Sequence, residues 1–479
     1  MRSKFALPIF LLFYLNAFTQ EPIRVDFGKM IRENLKPGAG SANVCWLVDS
    51  DQKRPNAAKS MEEALKELGT GSLRFPYGHL ADNYLWNTPP FDDTDRGLLP
   101  KVASMSRPPG EWDWAVKKDG SFISAMDFDE YMNLCQALDI KPLVVVNVFS
   151  FTYEGGPTFE TLKKTAIEWV KYAKRKNYEV AYWQIGNEVD HHKDWLTMEE
   201  YIDFYQEVVR AMKEADPTIK TGPGILSDVA YYTNLVSRYP ELIDFSSCHQ
   251  YAWDYIETCS NYNKWKEHQG NYIPKVRKMQ DAVSNSAKPD LDIVITETGV
   301  TPSNKGMGSV NNTYKALWYF EMLMNELTQP NVAYSYFWGT HSPWGGLEDR
   351  ENNDLGVLFR MDDNSRKPIA EAVMLVNNHI LDHMVQTTQV QGYIRTFATV
   401  ANDRSKFNIF MMNRNDKTQK ITVSLKNLPE SIQTFNRTEF KGSSPDSKEI
   451  TIEDLKPVAI SQDNVTLTLP PLSITVLKN

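Results

Sequence analysis

Strand-like and helix-like segments alternate along most of this chain, and this alternation restricts the fold more than any other feature. Stretches with apolar residues at helical spacing, such as 56–69 and 158–177, lie between most of the apolar, β-branched runs. Several runs are continuously apolar, as expected of strands buried on both faces. Repeated strand–helix units predict a parallel (β/α)8 TIM barrel, an α/β fold. The eight predicted strands are 41–48, 71–78, 141–148, 180–187, 219–226, 244–251, 292–299 and 332–339.

The pattern changes after residue 385. Short alternating strands separated by Asn, Asp, Gly and Pro follow, which is typical of an antiparallel β-sandwich. We therefore predict a signal peptide over 1–19, a catalytic barrel over 20–384 and a C-terminal β-sandwich over 385–479. The alternative for the first domain is an open doubly wound sheet. Such a sheet would usually carry a glycine-rich phosphate loop, and the sequence contains no GxGxxG.

The N-terminus predicts export. Arg2 and Lys4 precede an apolar stretch over 5–18, which is the pattern of a signal peptide, so we expect a secreted or periplasmic protein.

Four cysteines, none in a CxxC pair, are expected to be mostly buried thiols, with one disulfide possible. They are Cys45, Cys135, Cys248 and Cys259.

Charge and aromatic content indicate the kind of partner. The formal net charge is −9, which disfavours binding to nucleic acid or to an anionic membrane surface. Aromatic residues make up 12% of the chain, and their flat faces suit sugar rings, although aromatic residues also fill cores. A neutral oligo- or polysaccharide is the partner that this balance favours, and no cofactor is predicted.

Polar residues at the ends of the predicted strands point to chemistry, because sites in this fold lie at the C-terminal ends of the strands. Glu188 and Glu297 each end an apolar strand, in "YWQIGNE" and "VITETG". Glycoside hydrolysis requires two carboxylates facing one pocket, one to protonate the leaving oxygen and one to attack the anomeric carbon or activate water. Burial and neighbouring charge would push their pKa values apart. The other strand-end candidates are Arg74, Asn147, Asn187, His249, Tyr251 and Trp338.

Structural roles for the same residues remain open. A glutamate at a strand end can be a solvated end or a helix cap, and Arg74 can serve only as a salt-bridge partner. His249 and Trp338 can be core residues. The segment "NEVDHHKDW" invites a metal site, but adjacent histidines do not easily aim at one ion and no HExxH pattern occurs. Neither a metal nor a serine nucleophile is predicted, since GxSxG is also absent.

The "GNE" that ends strand four and the "TE" that ends strand seven resemble the clan A glycoside hydrolases, a superfamily of retaining (β/α)8 enzymes. The resemblance implies acid/base chemistry at Glu188 and nucleophilic attack by Glu297. It also implies that Asn187 holds the sugar 2-hydroxyl. Arg74 and Tyr251 would support the nucleophile, and Trp338 would stack on the substrate.

Within the clan, the chain looks most like the α-L-arabinofuranosidases. Residues 63–86, 128–147 and 182–188 carry this resemblance, together with the C-terminal strands. The chain departs from those enzymes at Tyr77-Gly78-His79, where they have Gly-Gly-Asn, and at 296–299, where Thr-Glu-Thr-Gly replaces Asp-Glu-Trp-Asn. The alternatives are an endo-acting β-glycanase on a plant or algal polysaccharide, a non-catalytic carbohydrate-binding barrel, and a metal-dependent hydrolase using His249 with the two glutamates.

A long insertion over 82–120 follows the second strand and would lie on the face of the barrel that carries the site. It contains Trp86, Trp112 and Trp114 beside four prolines. Prolines lower the entropy cost of holding a loop in one shape, and indole faces stack on sugar rings. We expect at least Trp86 to line the substrate subsite. The alternative is that these tryptophans pin the loop to the barrel.

Overall fold

The computed structural model describes residues 21–53, 59–92, 96–105, 115–255, 257–300, 311–342 and 357–479. The predicted signal peptide over 1–19 lies outside the described residues, and so do Trp112 and Trp114. Within these ranges, no helix is both long enough and apolar enough to cross a membrane.

The strands fall into a parallel set, an antiparallel set and a small hairpin in the insertion. In chain order they are β1 (Ile23–Arg32), β2 (Gly40–Asn43), β3 (Ser72–Phe75), β4 (Tyr84–Leu85), β5 (Lys101–Val102), β6 (Lys141–Val146), β7 (Tyr182–Ile185), β8 (Thr221–Pro223), β9 (Phe245–Tyr251), β10 (Asp292–Gly299), β11 (Val332–Phe337), β12 (His383–Thr387), β13 (Val390–Gln391), β14 (Ile394–Val400), β15 (Phe407–Asn413), β16 (Gln419–Lys426), β17 (Thr434–Gly442), β18 (Ile450–Ala459), β19 (Asn464–Leu469) and β20 (Ser473–Lys478).

The helices follow the barrel strands and cover their outer faces. They are α1 (Met61–Leu68), α2 (Phe128–Leu138), α3 (Phe159–Arg175), α4 (Met198–Ala215), α5 (Val229–Arg238), α6 (Tyr262–Glu267), α7 (Pro274–Ser284), α8 (Thr313–Leu327) and α9 (Pro368–His379).

The predicted barrel is confirmed. Its strands are hydrogen-bonded in the order β8-β7-β6-β3-β2-β11-β10-β9, and every neighbouring pair is parallel. The remaining gap lies between β8 and β9, where the amide of Asp244 donates to the carbonyl of Thr221 over 2.8 Å. The barrel is therefore nearly closed, and the C-terminal ends of its strands meet on one face.

Local sequence sets the bounds of the helices beside the site. Ser60 caps α1 and Thr197 caps α4, each in a capping box with the glutamate three residues later. Gly69 ends α1 with φ 69°, a left-handed conformation that glycine adopts at little cost. These caps place each helix start directly behind the loop that follows a barrel strand.

The second domain is a β-sheet domain after residue 383, mostly antiparallel as predicted. Its strands hydrogen-bond along one path, β18-β17-β20-β15-β14-β12-β1-β16-β19, with β13 attached to β14. Strands near both ends of this path contribute to a single apolar core that contains Phe27, Ile409, Phe435 and Leu467. The sheet therefore folds over on itself to enclose that core.

The N-terminal boundary of the barrel differs from the prediction. Strand β1 does not belong to a barrel over 20–384, because it pairs antiparallel with β12 and parallel with β16. Its buried residues Ile23, Val25 and Phe27 alternate with more exposed ones, as suits a sheet with one solvated face. This pairing joins residues almost 400 positions apart, so that local sequence carries no signal for it.

Helix α8 attaches the two domains to each other. Glu321 on α8 accepts hydrogen bonds from Arg395 Nε over 2.6 Å and from the guanidinium of Arg414 over 3.2 Å. All three side chains are at most 2% exposed. Because an isolated buried charge is costly, this triad requires that both domains stay docked.

The four cysteines are buried and free, so none forms the disulfide that the sequence left open.

In the insertion, β4 and β5 pair as a short antiparallel hairpin that lies against the barrel. Trp86 follows this first strand directly.

Candidate functional site

Two glutamates share the C-terminal face of the barrel. Glu188 lies in the turn after β7, and Glu297 lies on β10. One carboxylate oxygen of each and one ring nitrogen of His249 all lie within 4.8 Å of one another. The glutamate side chains are 17% and 10% exposed, so each keeps limited access to solvent.

Arg74 is the centre of the hydrogen-bond network around Glu297. This fully buried guanidinium on β3 donates to Glu297 Oε1 over 3.0 Å and to Asn187 Oδ1 over 2.6 Å. It also donates to Asn43 Oδ1 over 2.7 Å and to Gln184 Oε1 over 3.0 Å. A cation held this rigidly fixes one oxygen of Glu297.

Tyr251 and His249 also contact the two carboxylates. Tyr251, at the end of β9, donates to Glu297 Oε2 over 2.6 Å. Burial, reinforced by the charge of Glu297, holds the pKa of Tyr251 well above its usual value, so the phenol stays a neutral donor. His249 Nδ1 lies 2.8 Å from Glu188 Oε1 and 3.6 Å from Glu297 Oε2.

The pKa of Glu188 is set by two opposing effects. Burial raises it, but the hydrogen bond with His249 and the neighbouring histidines lower it to about 2. The expectation that one of the two carboxylates is held protonated by its surroundings therefore does not apply to Glu188 in the unliganded site.

Backbone conformation makes this approach of side chains possible. A Cβ on Gly78 would stand 2.1 Å from Glu297 Oε1, so only glycine fits at this position. Glu188 itself adopts a φ of 48°, which is uncommon outside glycine and is a form of strain found at functional sites. Gly186, with φ 80°, starts the turn that carries Asn187 and Glu188 to the pocket.

The network draws six of the residues predicted from the sequence into one site. Trp338 lies at its margin, with its backbone amide bonded to the carbonyl of Thr298 and its ring 5.7 Å from that of Tyr77. Hydrogen bonds join Arg74, Asn187, Tyr251 and Glu297 in one group and Glu188 with His249 in a second, and His249 Nδ1 lies 3.6 Å from Glu297 Oε2.

Two predicted substrate contacts are corrected. Trp86 is completely buried, donates from Nε1 to the carbonyl of Thr165 and stacks on Trp169 at 5.9 Å, so it pins the insertion to helix α3. Asn147 donates to the carbonyl of Asp82 over 2.9 Å and accepts from the amide of Ser150. Both side chains are engaged in holding loops at the barrel rim.

The site also contains two residues that the sequence analysis did not single out. Asn43 and Gln184 are buried polar side chains on strands, and both orient Arg74. Gln184 also donates to the carbonyl of Gly186 over 2.7 Å, which links the arginine to the turn before Glu188. In the sequence, each of these residues is an amide within a mostly apolar strand, and that pattern could have marked it as a candidate site residue.

The carboxylates and His249 have the donor types that bind a metal ion. However, both oxygens of Glu297 already accept hydrogen bonds, one of them from a cationic guanidinium that would repel a metal ion. Asp190, considered earlier as a ligand in "NEVDHHKDW", instead accepts hydrogen bonds from the amides of residues 226–228. This geometry favours acid/base chemistry over metal binding.

Comparisons with known proteins give a family match over part of the chain. The family model described as Alpha-L-arabinofuranosidase 1 domain matches residues 64–271. The probable alpha-L-arabinofuranosidase C of Aspergillus clavatus is 28% identical over 227 residues, with 40% of each chain covered. The matched part therefore spans only about two fifths of that relative's length.

Solved structures show the same fold over nearly the whole chain. The alpha-L-arabinofuranosidase from Thermotoga maritima in complex with arabinose superposes with a TM-score of 0.69 at 18% identity, covering 96% of this chain and 99% of that one. A GH family 44 endoglucanase from Clostridium thermocellum superposes with a TM-score of 0.63 at 14% identity, covering 95% and 99%. Residues 64–271 thus match the α-L-arabinofuranosidase domain, and the predicted resemblance to the α-L-arabinofuranosidases is confirmed.

Proposed function

We propose that this protein is a retaining, arabinofuranosidase-like glycoside hydrolase that cleaves O-glycosidic bonds of plant or algal polysaccharides. The observation that carries the proposal is the pair of carboxylates, Glu188 and Glu297, with oxygens within 4.8 Å at the C-terminal ends of the barrel strands. Retaining enzymes hold their carboxyl groups about 5–5.5 Å apart, whereas inverting enzymes need about 6.5–9.5 Å to admit a water. The short separation supports double displacement.

In the first step, Glu297 attacks the anomeric carbon and forms a glycosyl ester as the bond to the leaving oxygen breaks. Arg74 and Tyr251 hold the two oxygens of Glu297, so the attacking lone pair is aimed before the sugar arrives. The leaving oxygen takes a proton from Glu188. Glu188 Oε1 lies 2.8 Å from His249 Nδ1, and this contact holds the carboxyl that gives up the proton in place.

In the second step, Glu188 accepts a proton from water, and the resulting hydroxide attacks the ester and releases Glu297. The sugar leaves with the anomeric configuration it had at the start. Asn187 shares the Arg74 guanidinium with Glu297 and is suited to bind the sugar 2-hydroxyl. No cofactor takes part in this proposal.

One observation favours a second candidate, an endo-acting β-glycanase of the same clan. Tyr77 stands where the arabinofuranosidases have glycine, is buried with φ 110°, and packs its ring 5.7 Å from that of Trp338. A bulky side chain at this position changes the shape of the pocket wall that would contact the sugar. The substrate therefore need not be an arabinoside.

The proposal is tested by incubating purified protein with a panel of nitrophenyl glycosides and with plant and algal polysaccharides. We expect at least one of these substrates to be hydrolysed and the Glu297→Gln protein to be inactive. NMR should show that the anomer released first has the retained configuration. Release of single sugars would indicate an exo-acting enzyme, and oligosaccharides would indicate the endo-acting candidate. Absence of hydrolysis across the panel, or an active Glu297→Gln protein, would overturn the proposal. Loss of activity in a chelator would favour metal-dependent chemistry.

We also propose that the protein is exported, as a polysaccharide substrate would require. The proposal is supported by the basic start and the apolar stretch over 5–18. The test is N-terminal sequencing of protein recovered from periplasm or culture medium. We expect the mature chain to begin at Gln20 or Glu21, and an intact Met1 terminus would contradict export by cleavage.

A further inference from the structure

Strand β10 is irregular at the point where it delivers Glu297. Its register against β9 shifts between Ile295 and Glu297, and its register against β11 shifts between Ile295 and Thr298. A bulge of this kind leaves ladder groups unpaired and re-aims the side chains beside it. The direction of Glu297 therefore depends on whatever holds the bulge.

One clamp acts from inside the barrel. Asn43 donates from Nδ2 to the carbonyl of Thr296 and to the carbonyl of Phe337, each over 3.0 Å. The carbonyl of Thr296 lies inside the irregular stretch. Asn43 thereby ties β10 to the end of β11 while its own oxygen accepts from Arg74.

A second clamp acts from the helix layer. Glu326, near the end of α8, is completely buried and receives hydrogen bonds from Thr298 Oγ1 to Oε1 over 2.9 Å and from Ser335 Oγ to Oε2 over 2.6 Å. Thr298 follows Glu297 directly on β10, and Ser335 lies on β11. One carboxyl group thus bridges both strands on the side opposite to Asn43.

The surroundings of Glu326 favour its neutral form. Thr298 on β10, Ser335 on β11, Cys248 on β9 and Tyr319 on α8 face it, and none of these groups is a cation. Among the described residues, the groups that act on the Glu326 carboxyl are the hydroxyls of Ser335 and Thr298, and no lysine, arginine or histidine is one of them. Burial raises the pKa of Glu326 to about 8, although the hydroxyls of Ser335 and Thr298 lower it.

We propose that Glu326, which bridges Thr298 on β10 and Ser335 on β11, is a positioning residue that holds the bulge of β10 and with it the direction of Glu297. The inference rests on the proposed role of Glu297 as nucleophile. As an acid, the group donates its O–H to one of the two hydroxyls and accepts from the other, so each hydroxyl has a partner. After ionisation the carboxylate is a buried charge with two hydroxyl donors but no cation facing it, and water drawn to that charge loosens the clamp.

The test isolates the step that Glu297 performs. In a Glu188→Ala background, a nitrophenyl glycoside needs no acid for its departure, so the burst of nitrophenolate reports the attack by Glu297. We expect the burst rate of Glu188→Ala to fall at least about tenfold as pH rises well above 8, whereas Glu188→Ala/Glu326→Gln keeps its rate within about threefold, since glutamine mimics the neutral acid. Equal pH dependence in the two proteins would overturn the proposal.

Removal of one clamp hydroxyl provides a second test. Thr298→Val should lower kcat about tenfold with KM near wild type, because it loosens the strand without touching the sugar. Thr221→Val is the matched control, because Thr221 is a buried barrel threonine whose hydroxyl bonds the carbonyl of Leu242 and does not contact Glu326. An equal loss in both variants, or an effect on KM alone, would reduce Thr298 to general packing and overturn the proposal.

A readout without catalysis separates this inference from the proposed function. Amide hydrogen exchange over residues 293–299 should speed up above about pH 8 in the wild type, after correction for intrinsic exchange rates, and much less in Glu326→Gln. If no glycoside is hydrolysed but the two proteins differ in hydrogen exchange, the proposed function is wrong and the positioning role of Glu326 is supported. If glycosides are hydrolysed but exchange and burst rates are the same in both proteins, the clamp fails alone.

Discussion

Tyr251 donates a 2.6 Å hydrogen bond to Oε2 of Glu297, and both residues are almost completely buried, at 5% and 8% exposure. The bond joins the end of β9 to β10, two strands paired in parallel. Because Arg74 holds the other oxygen, the carboxylate of Glu297 is fixed in direction. The structure thus orients one glutamate from two sides.

Removing the Tyr251 hydroxyl tests this orientation. A hydrogen bond to a charged group contributes about 1.5–3 kcal/mol, so Tyr251→Phe should lower kcat by roughly 10- to 150-fold. Steady-state kinetics with thermal unfolding will check this. Tyr231→Phe is the control, because that hydroxyl is buried without a hydrogen-bond partner among the described residues. Similar losses in both variants would show that the effect is not specific to Glu297.

Azide rescue tests the roles of the two glutamates. Glu188→Ala should retain the first step on substrates with good leaving groups, and azide should restore turnover by attacking the glycosyl ester with retained anomeric configuration. Glu297→Ala should give a glycosyl azide of inverted configuration, if it gives any. The anomer is read by NMR. An inverted azide from Glu188→Ala would exchange the two assignments, and no rescue at all would remove the acid/base role.

The buried triad of Glu321, Arg395 and Arg414 predicts a dependence of barrel stability on the C-terminal domain. Glu321→Gln leaves two buried guanidinium groups without their anion, so we expect a loss of about 3–5 kcal/mol in unfolding free energy. Denaturant unfolding measures it. Glu241→Gln, which breaks an ion pair that is about half exposed with Arg210, should cost at most about 1 kcal/mol.

Deletion of residues 386–479 extends the same argument. The deletion removes Arg395 and Arg414, and it leaves β1 without its partner β16. Because an exposed strand edge promotes aggregation, we expect the truncated barrel to be insoluble. Solubility after expression and, for soluble protein, thermal unfolding are the measurements. A soluble, fully stable barrel with weakened polysaccharide binding would instead make the C-terminal domain a binding module.

Glu326 predicts a dependence of stability on pH. Its pKa is raised from 4.5 to about 8 in the fold, so between these values the unfolded chain loses a proton that the folded protein keeps. The contribution is therefore complete below about pH 4.5 and is lost as pH rises through about 8, at up to about 1.4 kcal/mol per pH unit. Glu326→Gln should gain stability relative to wild type over this range. A constant difference between the two proteins would contradict the raised pKa.

Trp86 is expected to act on stability alone. Its indole is fully buried against Trp169 and bonded to the carbonyl of Thr165, so Trp86→Ala should cost about 3–5 kcal/mol. Kinetic constants per folded molecule should stay near wild type. Denaturant unfolding and active-site titration check the two parts, and a raised KM with unchanged stability would return Trp86 to the substrate subsite.

The amino-acid sequence by itself determined the barrel and the strand ends that carry Glu188 and Glu297. Strand and helix periodicity are local properties, and parallel strands in a barrel place their C-terminal ends on one face whatever the loops do. The glycine and amide beside Glu188 were visible for the same reason. These features could be predicted because they depend only on residues close together in the sequence.

The tertiary structure alone decided which side chains meet. Asn43 reaches Thr296 across the closed barrel, β1 pairs with strands at the far end of the chain, and Glu326 bridges β10 and β11 from a helix. Trp86 turned inward because a pocket lined by Trp169 was there to bury it. Such contacts depend on how elements pack after closure, and residue type at one position carries no information about a partner hundreds of positions away.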